Sequence, residues 1–459
     1  MPQAKRFIFR PYNLDTDRSL LRCTYAIDFE EGERVEYTNV LEFPGATPDM
    51  WARIPPQLLQ AMLESLVIML GLYYWKIHCA PAMCIEGFSL TREQAQFWNT
   101  LYTKGLAEFF YRSRIDFRGL INFPYDTAGP TQVSSTPFVR SRRTLLTHGG
   151  GKDSIVSSEI LKAAGIPFDL FVLNHNKMPK MQERVAELIG ERVVVVRQSR
   201  DPLARRLSQL KKVQGGYPHS LAVTFVATLV AVLQDYRYVA LSNEHSADIG
   251  NTEYYGVDVN HQWGKSTESE MLVREYIARF ITPDVVPFSL LRQFSEIEMV
   301  RRFTQYPKYF YSFSSCNMNF SFPPSVTENG RAERAYWCNK CPKCVFIFAC
   351  LAAFLPKETV IDIFGADLYA DTQLLRTYRE LLGLEGIKPF ECVGTPEEMI
   401  VAMSRAQKTG AYKHEPAMDL FEGVVLPNGS SLGEIERRVF SAHGVGTIPE
   451  EFTSLLEAA

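Results

Sequence analysis

Apolar and polar residues alternate at short intervals near the start of the chain, so Arg22 to Phe29 and Arg34 to Phe43 read as strands. The apolar stretch that follows predicts a helix from Pro56 to about Trp75, making residues 1–140 an α+β unit. A polar, turn-rich linker, Asp126 to Ser141, closes it with Ala128-Gly129-Pro130 and Ser134-Ser135-Thr136-Pro137. From Arg143 short apolar runs alternate with helical ones: Thr144 to Thr147, then Ser154 to Ala164; Phe168 to Leu173, then Lys180 to Ile189. Arg192 to Val196 and Tyr238 to Leu241 follow, separated by an apolar helix starting near Ser220. Such alternation predicts crossover units and a parallel sheet buried on both faces, with ligands at the carboxyl ends of its strands. This second unit spans 141–355. The third, 356–459, reads as mostly helical, with Thr395-Pro396-Glu397-Glu398 as a capping box carrying Pro at the first helical position. No internal repeat or low-complexity segment stands out.

Composition narrows the class. A chain of 459 residues with net charge −3, 46% hydrophobic and 22% charged, is ordinary for a globular protein and excludes collagen, disorder and a strongly basic nucleic-acid binder. The apolar runs Leu221 to Leu233 and Val345 to Leu355 are shorter than the ~20 residues of a membrane-spanning helix, so no membrane association is expected. The N-terminus lacks a signal-peptide core, and nine cysteines, an odd number, suit a reducing compartment; the expected location is the cytoplasm.

Candidate chemistry begins at His148-Gly149-Gly150-Gly151-Lys152-Asp153-Ser154, between the first strand of the parallel sheet and its helix. Glycines let the backbone turn its N–H groups onto an anion, the helix N-terminus adds a favourable dipole, Lys152 a charge and Ser154 a hydroxyl. It is not a Walker A loop, because Leu146 and Asp153 stand where that motif needs Gly and Ser or Thr. Five of the eight histidines, His148, His175, His219, His245 and His261, fall in one quarter of the chain. Two polar segments there, Ser242 to Asn251 and Asn260 to Ser266, read as a lid over the sheet's carboxyl edge. Cys338, Cys341 and Cys344 stand at two-residue gaps, with Cys316 upstream, and four thiolates can close a tetrahedral zinc site. Reduced packing thiols and a catalytic thiol are the other readings of that group.

The glycine segment resembles the pyrophosphate loop (PP-loop) of the ATP pyrophosphatase superfamily, Ser-Gly-Gly-x-Asp-Ser, through Gly150 to Ser154, with Gly149 replacing the leading Ser. The resemblance implies an adenine nucleotide α-hydrolase-like core that cleaves ATP to AMP and pyrophosphate. It makes Gly149, Gly150, Gly151, Lys152, Asp153, Ser154, Asn174, Ser242 and Asn243 candidate ATP ligands, with adenine near Asn174-His175-Asn176. Asp153, Glu244 and Asp248 are candidates to hold Mg²⁺. The cysteine arrangement is similar to the zinc knot of 7-cyano-7-deazaguanine synthases in that superfamily.

Together with Ser242 to Asp248, Asn260 to Ser266, Trp337-Cys338-Asn339-Lys340-Cys341-Pro342-Lys343-Cys344-Val345-Phe346 and Lys388 to Thr395, the loop resembles the ATP-dependent UDP-N-acetylmuramoyl-L-alanyl-L-glutamate epimerases of peptidoglycan synthesis. That resemblance implies adenylation of the terminal L-Glu carboxylate, inversion of its α-carbon and release of AMP. It implies a UDP-N-acetylmuramoyl-dipeptide substrate and no nucleic acid. His245, His261, Lys265 and Glu244 are the candidate catalytic residues, with the cysteines as an alternative proton pair. Arg142, Arg143, Arg197, Arg200, Arg205 and Arg206 are available to the UDP diphosphate. Two rivals remain: a nucleobase-modifying synthase or thiolase, whose tRNA version the net charge weakens, and a zinc-stabilised binding module with a decayed ATP site.

Overall fold

A computed structural model describes residues 3–127, 135–175, 178–210, 213, 215–318, 336–426, 432–443 and 447–458. Part of the expected linker, 128–134, and Asn176 lie outside them. Five strands carry the second unit: β6 (Thr144–Thr147), β7 (Phe168–Asn174), β8 (Val193–Arg200), β9 (Tyr238–Leu241) and β12 (Val286–Ser289). They pair in parallel in the order β12-β9-β6-β7-β8. Alternate residues face opposite layers, as the strand repeat requires. Leu145, Phe171 and Val239 enter one hydrophobic core, while Leu146, Leu170 and Ala240 enter the other. The parallel sheet is thus buried on both faces, with crossover helices such as Lys152–Ala163 and His219–Gln234 covering it.

The sheet does not stop at β8. Its edge pairs antiparallel with β4 (Arg34–Glu42), and β3 (Leu20–Phe29), β1 (Ala4–Phe9) and β5 (Ala82–Ile85) follow, with β2 (Asn13–Asp15) on β3. One ten-stranded sheet results, and a separate hairpin joins β10 (Thr252–Tyr254) to β11 (Val257–Val259) between the two polar segments of the predicted lid.

One helix is longer than the two apolar runs, Leu221 to Leu233 and Val345 to Leu355, marked in the sequence. The helix Pro56–His78 has 23 residues and is long and apolar enough, by length and composition, to cross a membrane; most of it is buried inside the protein. Tyr74 and Trp75 are fully buried there, and Tyr74 stacks on Tyr25 and Tyr37 of the sheet, so it is a core helix.

After β12 the described chain is helical, including Pro342–Ala352 and Pro396–Lys408. The predicted capping box forms: Thr395 Oγ1 accepts from Glu398 N, and Glu398 Oε1 accepts from Thr395 N. Buried Glu398 also accepts from Ile297 N, tying the helical region to the helix Glu296–Phe303.

Candidate functional site

From β6 the chain steps one way to β7 and β8, and later the other way to β9 and β12. The crevice between the carboxyl ends of β6 and β9 is therefore the topological switch point, where α/β sheets bind ligands. The glycine loop leaves β6 there. Gly150 has φ +76°, and a Cβ on it would stand 3.0 Å from Gln182 Cα, so both conformation and space require glycine. Gly151 is the N-cap of the helix Lys152–Ala163 and supplies no side-chain cap. The first N–H groups of that helix thus face the crevice without a capping oxygen. His148 props the loop from behind: its backbone oxygen accepts from Gln182 Nε2 at 2.5 Å, and its Nε2 lies 3.1 Å from Gln182 O. Burial lowers its pKa to about 4, so it is a neutral support.

Three cavities meet at this edge. The first, about 250 Å³, is lined by Gly149, Gly151, Asp153, Ser154, Ser242 and Asn243, with Lys265, Lys343 and Cys392 across from them. A larger one, about 570 Å³, extends over β7 past Asn174, His175, Arg200 and His219. Asn174 turns Oδ1 to His175 N at 2.8 Å, and its buried Nδ2 has no acceptor among the described residues, leaving a donor beside this cavity. A third, about 250 Å³, is lined by Glu108, His261 and Trp263 and shares Lys265 and Cys392 with the first. Lys265 lines all three.

The lysines divide between wall and interior. Lys152, expected to project a charge to the anion, is fully buried outside the cavity lining. It bonds Asp153 and meets Glu296 Oε1 at 2.9 Å, and Glu296 also pairs with Lys343. Burial opposes the Lys152 charge, but Asp153, Glu296 and Glu244 raise its pKa above the ordinary lysine value. Burial likewise opposes the Glu296 carboxylate, and Lys152 and Lys343 outweigh it, holding its pKa below the usual range. Glu244, buried beside them, is pushed up to about 8, first by burial and then by Glu296 and Asp153.

The other sequence candidates fall in distinct places. Ser242 Oγ lies 2.8 Å from Ser157 Oγ, and Asn243 Nδ2 donates to Ser289 Oγ at 3.0 Å, fixing the end of β9 opposite the loop. His245 stacks on His443 with ring centroids 4.2 Å apart and does not line the three cavities. Asp248 caps the helix Thr267–Phe280, accepting from Thr267 N at 2.6 Å and Thr267 Oγ1 at 2.7 Å. Among the described residues Asp153, Glu244 and Asp248 do not converge as a metal-ligating group. Of the arginines, Arg200 lines the larger cavity; Arg143 is held by Asp169 and Arg197 by Glu42, while Arg142, Arg205 and Arg206 are exposed.

His261 and Lys265 converge on Cys392. Lys265 Nζ donates to Cys392 Sγ at 3.4 Å, and His261, whose Nδ1 meets Glu108 Oε2 at 2.7 Å, lines the same cavity beside that sulfur. Burial opposes the Cys392 thiolate, but Lys265 and His261 bring its pKa down to about 6. The Cys392 charge raises Lys265 above the ordinary value despite burial. Burial also opposes charge on His261, yet the neighbouring Cys392 sulfur and the Glu108 carboxylate raise its pKa to about 10. Glu108 and Glu296 are candidate site residues that sequence reasoning missed, and Cys392 enters it only as part of the Lys388 to Thr395 segment. The Phe390-Glu391-Cys392-Val393-Gly394 context was the one available signal.

Arg292, fully buried, donates to Glu244 O at 3.0 Å and Lys265 O at 2.7 Å and pairs with Glu270 at 2.8 Å, locking both polar segments. The Cys392 segment is clamped too. Asn251 Nδ2 donates to Lys388 O and Pro389 O at 2.9 Å, and Gln262 Nε2 donates to Val393 O at 3.1 Å.

Cys316, Cys338, Cys341 and Cys344 form a group that could hold a metal ion, their sulfurs all within 4.8 Å of one another. Separations of 3.5 Å for Cys341–Cys344 and 3.7 Å for Cys338–Cys344 match the ~3.8 Å edge of a tetrahedron with ~2.3 Å metal–sulfur bonds. Trp337 packs on Phe364 and Phe313 beside the cluster, closing it on the protein side.

Fold and site together define an α/β protein with a glycine-rich loop at its switch point and Lys265 and Cys392 across the cavity from it. The chain belongs to the UDP-N-acetyl-α-D-muramoyl-L-alanyl-L-glutamate epimerase family, whose members are isomerases. The MurL N-terminal domain model matches residues 1–290, all ten strands of the large sheet, and the MurL C-terminal domain model matches 312–428, holding both the cysteine cluster and Cys392. Relatives bearing that epimerase name include one from Micromonospora sp., 34% identical over 98% of this chain and 97% of its own length. Another from Salinispora tropica is 32% identical over 98% and 95%. One from Xanthomonas oryzae pv. oryzae is 31% identical over 93% and 91%. A solved structure described as a predicted subunit of tRNA methyltransferase from Methanocaldococcus jannaschii aligns at 18% identity over 36% of this chain and 76% of that one; its TM-score, 0.25, carries no argument.

Proposed function

We propose that this protein inverts the terminal L-Glu α-carbon of UDP-N-acetylmuramoyl-L-alanyl-L-glutamate, using ATP to adenylate the glutamyl α-carboxylate and releasing AMP and pyrophosphate. The observation that carries the reading is the shared wall: Lys265 and Cys392 border both the glycine-loop cavity and the cavity beside His261. An activated carboxyl and the carbon next to it need such adjacent sites.

A free carboxylate protects its α-proton, because deprotonation would put a second negative charge beside the first. Adenylation removes that charge. The glycine-loop N–H groups and Ser154 would receive the phosphates, the Asn174 donor and the larger cavity would take adenosine, and Lys265 and Lys343 would face the charge that develops as pyrophosphate leaves. Mg²⁺, a hard cation bound through oxygen, would share that charge, with Asp153 the carboxylate at the cavity wall. Arg200, at the wall of the larger cavity, would be the arginine available to a substrate diphosphate at its rim. In the cysteine cluster, zinc would be structural, since four thiolates complete its tetrahedron and leave no open position. The working location is the cytoplasm, where ATP and reduced thiols are available.

Incubating the protein with ATP, Mg²⁺ and the L-Glu substrate should yield AMP, pyrophosphate and the D-Glu product in equal amounts. Folded protein giving neither AMP nor D-Glu would overturn the proposal, and AMP formed only with a deazapurine substrate would replace it with the nucleobase reading.

A further inference from the structure

Inversion needs a base close to the carboxyl that is activated. The α-carbon lies one bond from that carboxyl, so the base must stand at the edge of the glycine-loop cavity where the rest of the substrate enters. The residues lining both that cavity and its neighbour are Lys265 and Cys392. His245 stands outside the cavities and Glu244 lies behind the wall among Lys152 and Glu296. We infer that Cys392 Sγ removes the α-proton of the adenylated glutamyl residue, with His261 and Glu108 as the positioning residues that orient it; the inference rests on the epimerase reading above.

The charges around the sulfur agree with the geometry. Lys265, His261 and Lys343 all favour the thiolate, which burial alone would suppress, so Cys392 is the base and Lys265 stays a cation beside it. Glu391 and Lys388 complete the titratable groups on its own segment, and Glu108 faces it through His261. The clamped Lys388–Val393 segment fixes where the sulfur sits, as proton transfer requires.

In the step, the Cα–H bond breaks and an S–H bond forms, and the C–H electron pair moves into the activated carboxyl as an enolate whose oxygen faces Lys265. Water on the opposite face then gives a proton to Cα, setting the D configuration. The hydroxide left behind is neutralised by the proton that Cys392 returns to solvent.

Two readouts on the full chain test this: substrate-dependent ATP–pyrophosphate exchange, which reports adenylation, and α-proton exchange in deuterated water. Cys392→Ala should lose α-proton exchange and D-Glu formation by ~10²–10⁴-fold, while still supporting ATP–pyrophosphate exchange. A variant that epimerises within about tenfold of the parent, or loses both readouts in parallel, would overturn the role. Absence of exchange in the parent protein would instead bring down the epimerase reading itself. Alkylation of the unmodified protein guards against misfolding of the variant. Peptide mass spectrometry should show Cys392 reacting with iodoacetamide half-maximally near pH 6, and a midpoint near the free-thiol value of about 8.5 would contradict the inference.

Discussion

Lysine and cysteine each occur on both sides of the cavity wall, and the two sides use them differently. Behind it, Lys152 is sealed against Glu296 and Asp153, and Cys316, Cys338, Cys341 and Cys344 crowd one another within 4.8 Å. On it, Lys265 and Cys392 face the cavities, with Lys265 Nζ donating to Cys392 Sγ. Residue type does not decide the role. Lys152, sealed among protein carboxylates away from the cavity lining, supports the fold, whereas Lys265, beside a thiol in an open cavity, is available to a substrate. Substitutions behind the wall should therefore cost stability, and substitutions on it should cost rate.

The largest effect is expected at the cluster. Cys344→Ser should lose bound metal and destabilise the protein by more than about 4 kcal/mol, the scale on which loss of a metal site stands out. Metal analysis and chemical denaturation would check it, and a variant with parent stability would erase the distinction. Next, Lys152→Met leaves Glu296 short of a buried partner and should cost about 3–5 kcal/mol in stability, the range for breaking a buried pair. Activity per folded molecule should change less than that; abolished turnover in a fully stable variant would move Lys152 onto the wall.

Lys265→Met is the mirror experiment. Adenylation should fall by ~10²–10³-fold, as for removal of one preorganised charge-stabilising donor, with the melting temperature much less affected. The smallest effect belongs to Glu108→Gln, about tenfold in rate, or ~1.4 kcal/mol. Its sign with pH is distinctive. The Glu108 carboxylate helps keep His261 protonated, and that imidazolium helps keep Cys392 ionised. Neutralising Glu108 lowers the His261 pKa and raises that of Cys392 from about 6, so the acid limb of kcat/KM moves to higher pH. A uniform loss across pH would show that Glu108 merely packs.

Local features of this architecture were legible in the sequence. β6 and β9 span the residues their apolar runs mark, and the Thr395 capping box forms as its spacing requires. β12 was missed because Val286-Pro287-Phe288-Ser289 carries a proline; among the described residues it pairs with β9 alone, at an edge where the missing N–H is tolerated. The pairing of β4 with β8 joins distant segments and has no local signature. In the site, loop chemistry could be read from glycine spacing, but the direction of Lys152 depends on Glu296, far along the chain. The Cys392–His261–Glu108 chain draws on three remote segments, so nothing in any one of them marks it.

The central claim is that α-proton loss waits on adenylation. In deuterated water with Mg²⁺ and the L-Glu substrate, the account predicts α-deuterium in the glutamyl residue with ATP and none when ATP is replaced by its α,β-methylene analogue, which cannot release pyrophosphate. Equal labelling with the analogue, or with no nucleotide, would contradict it.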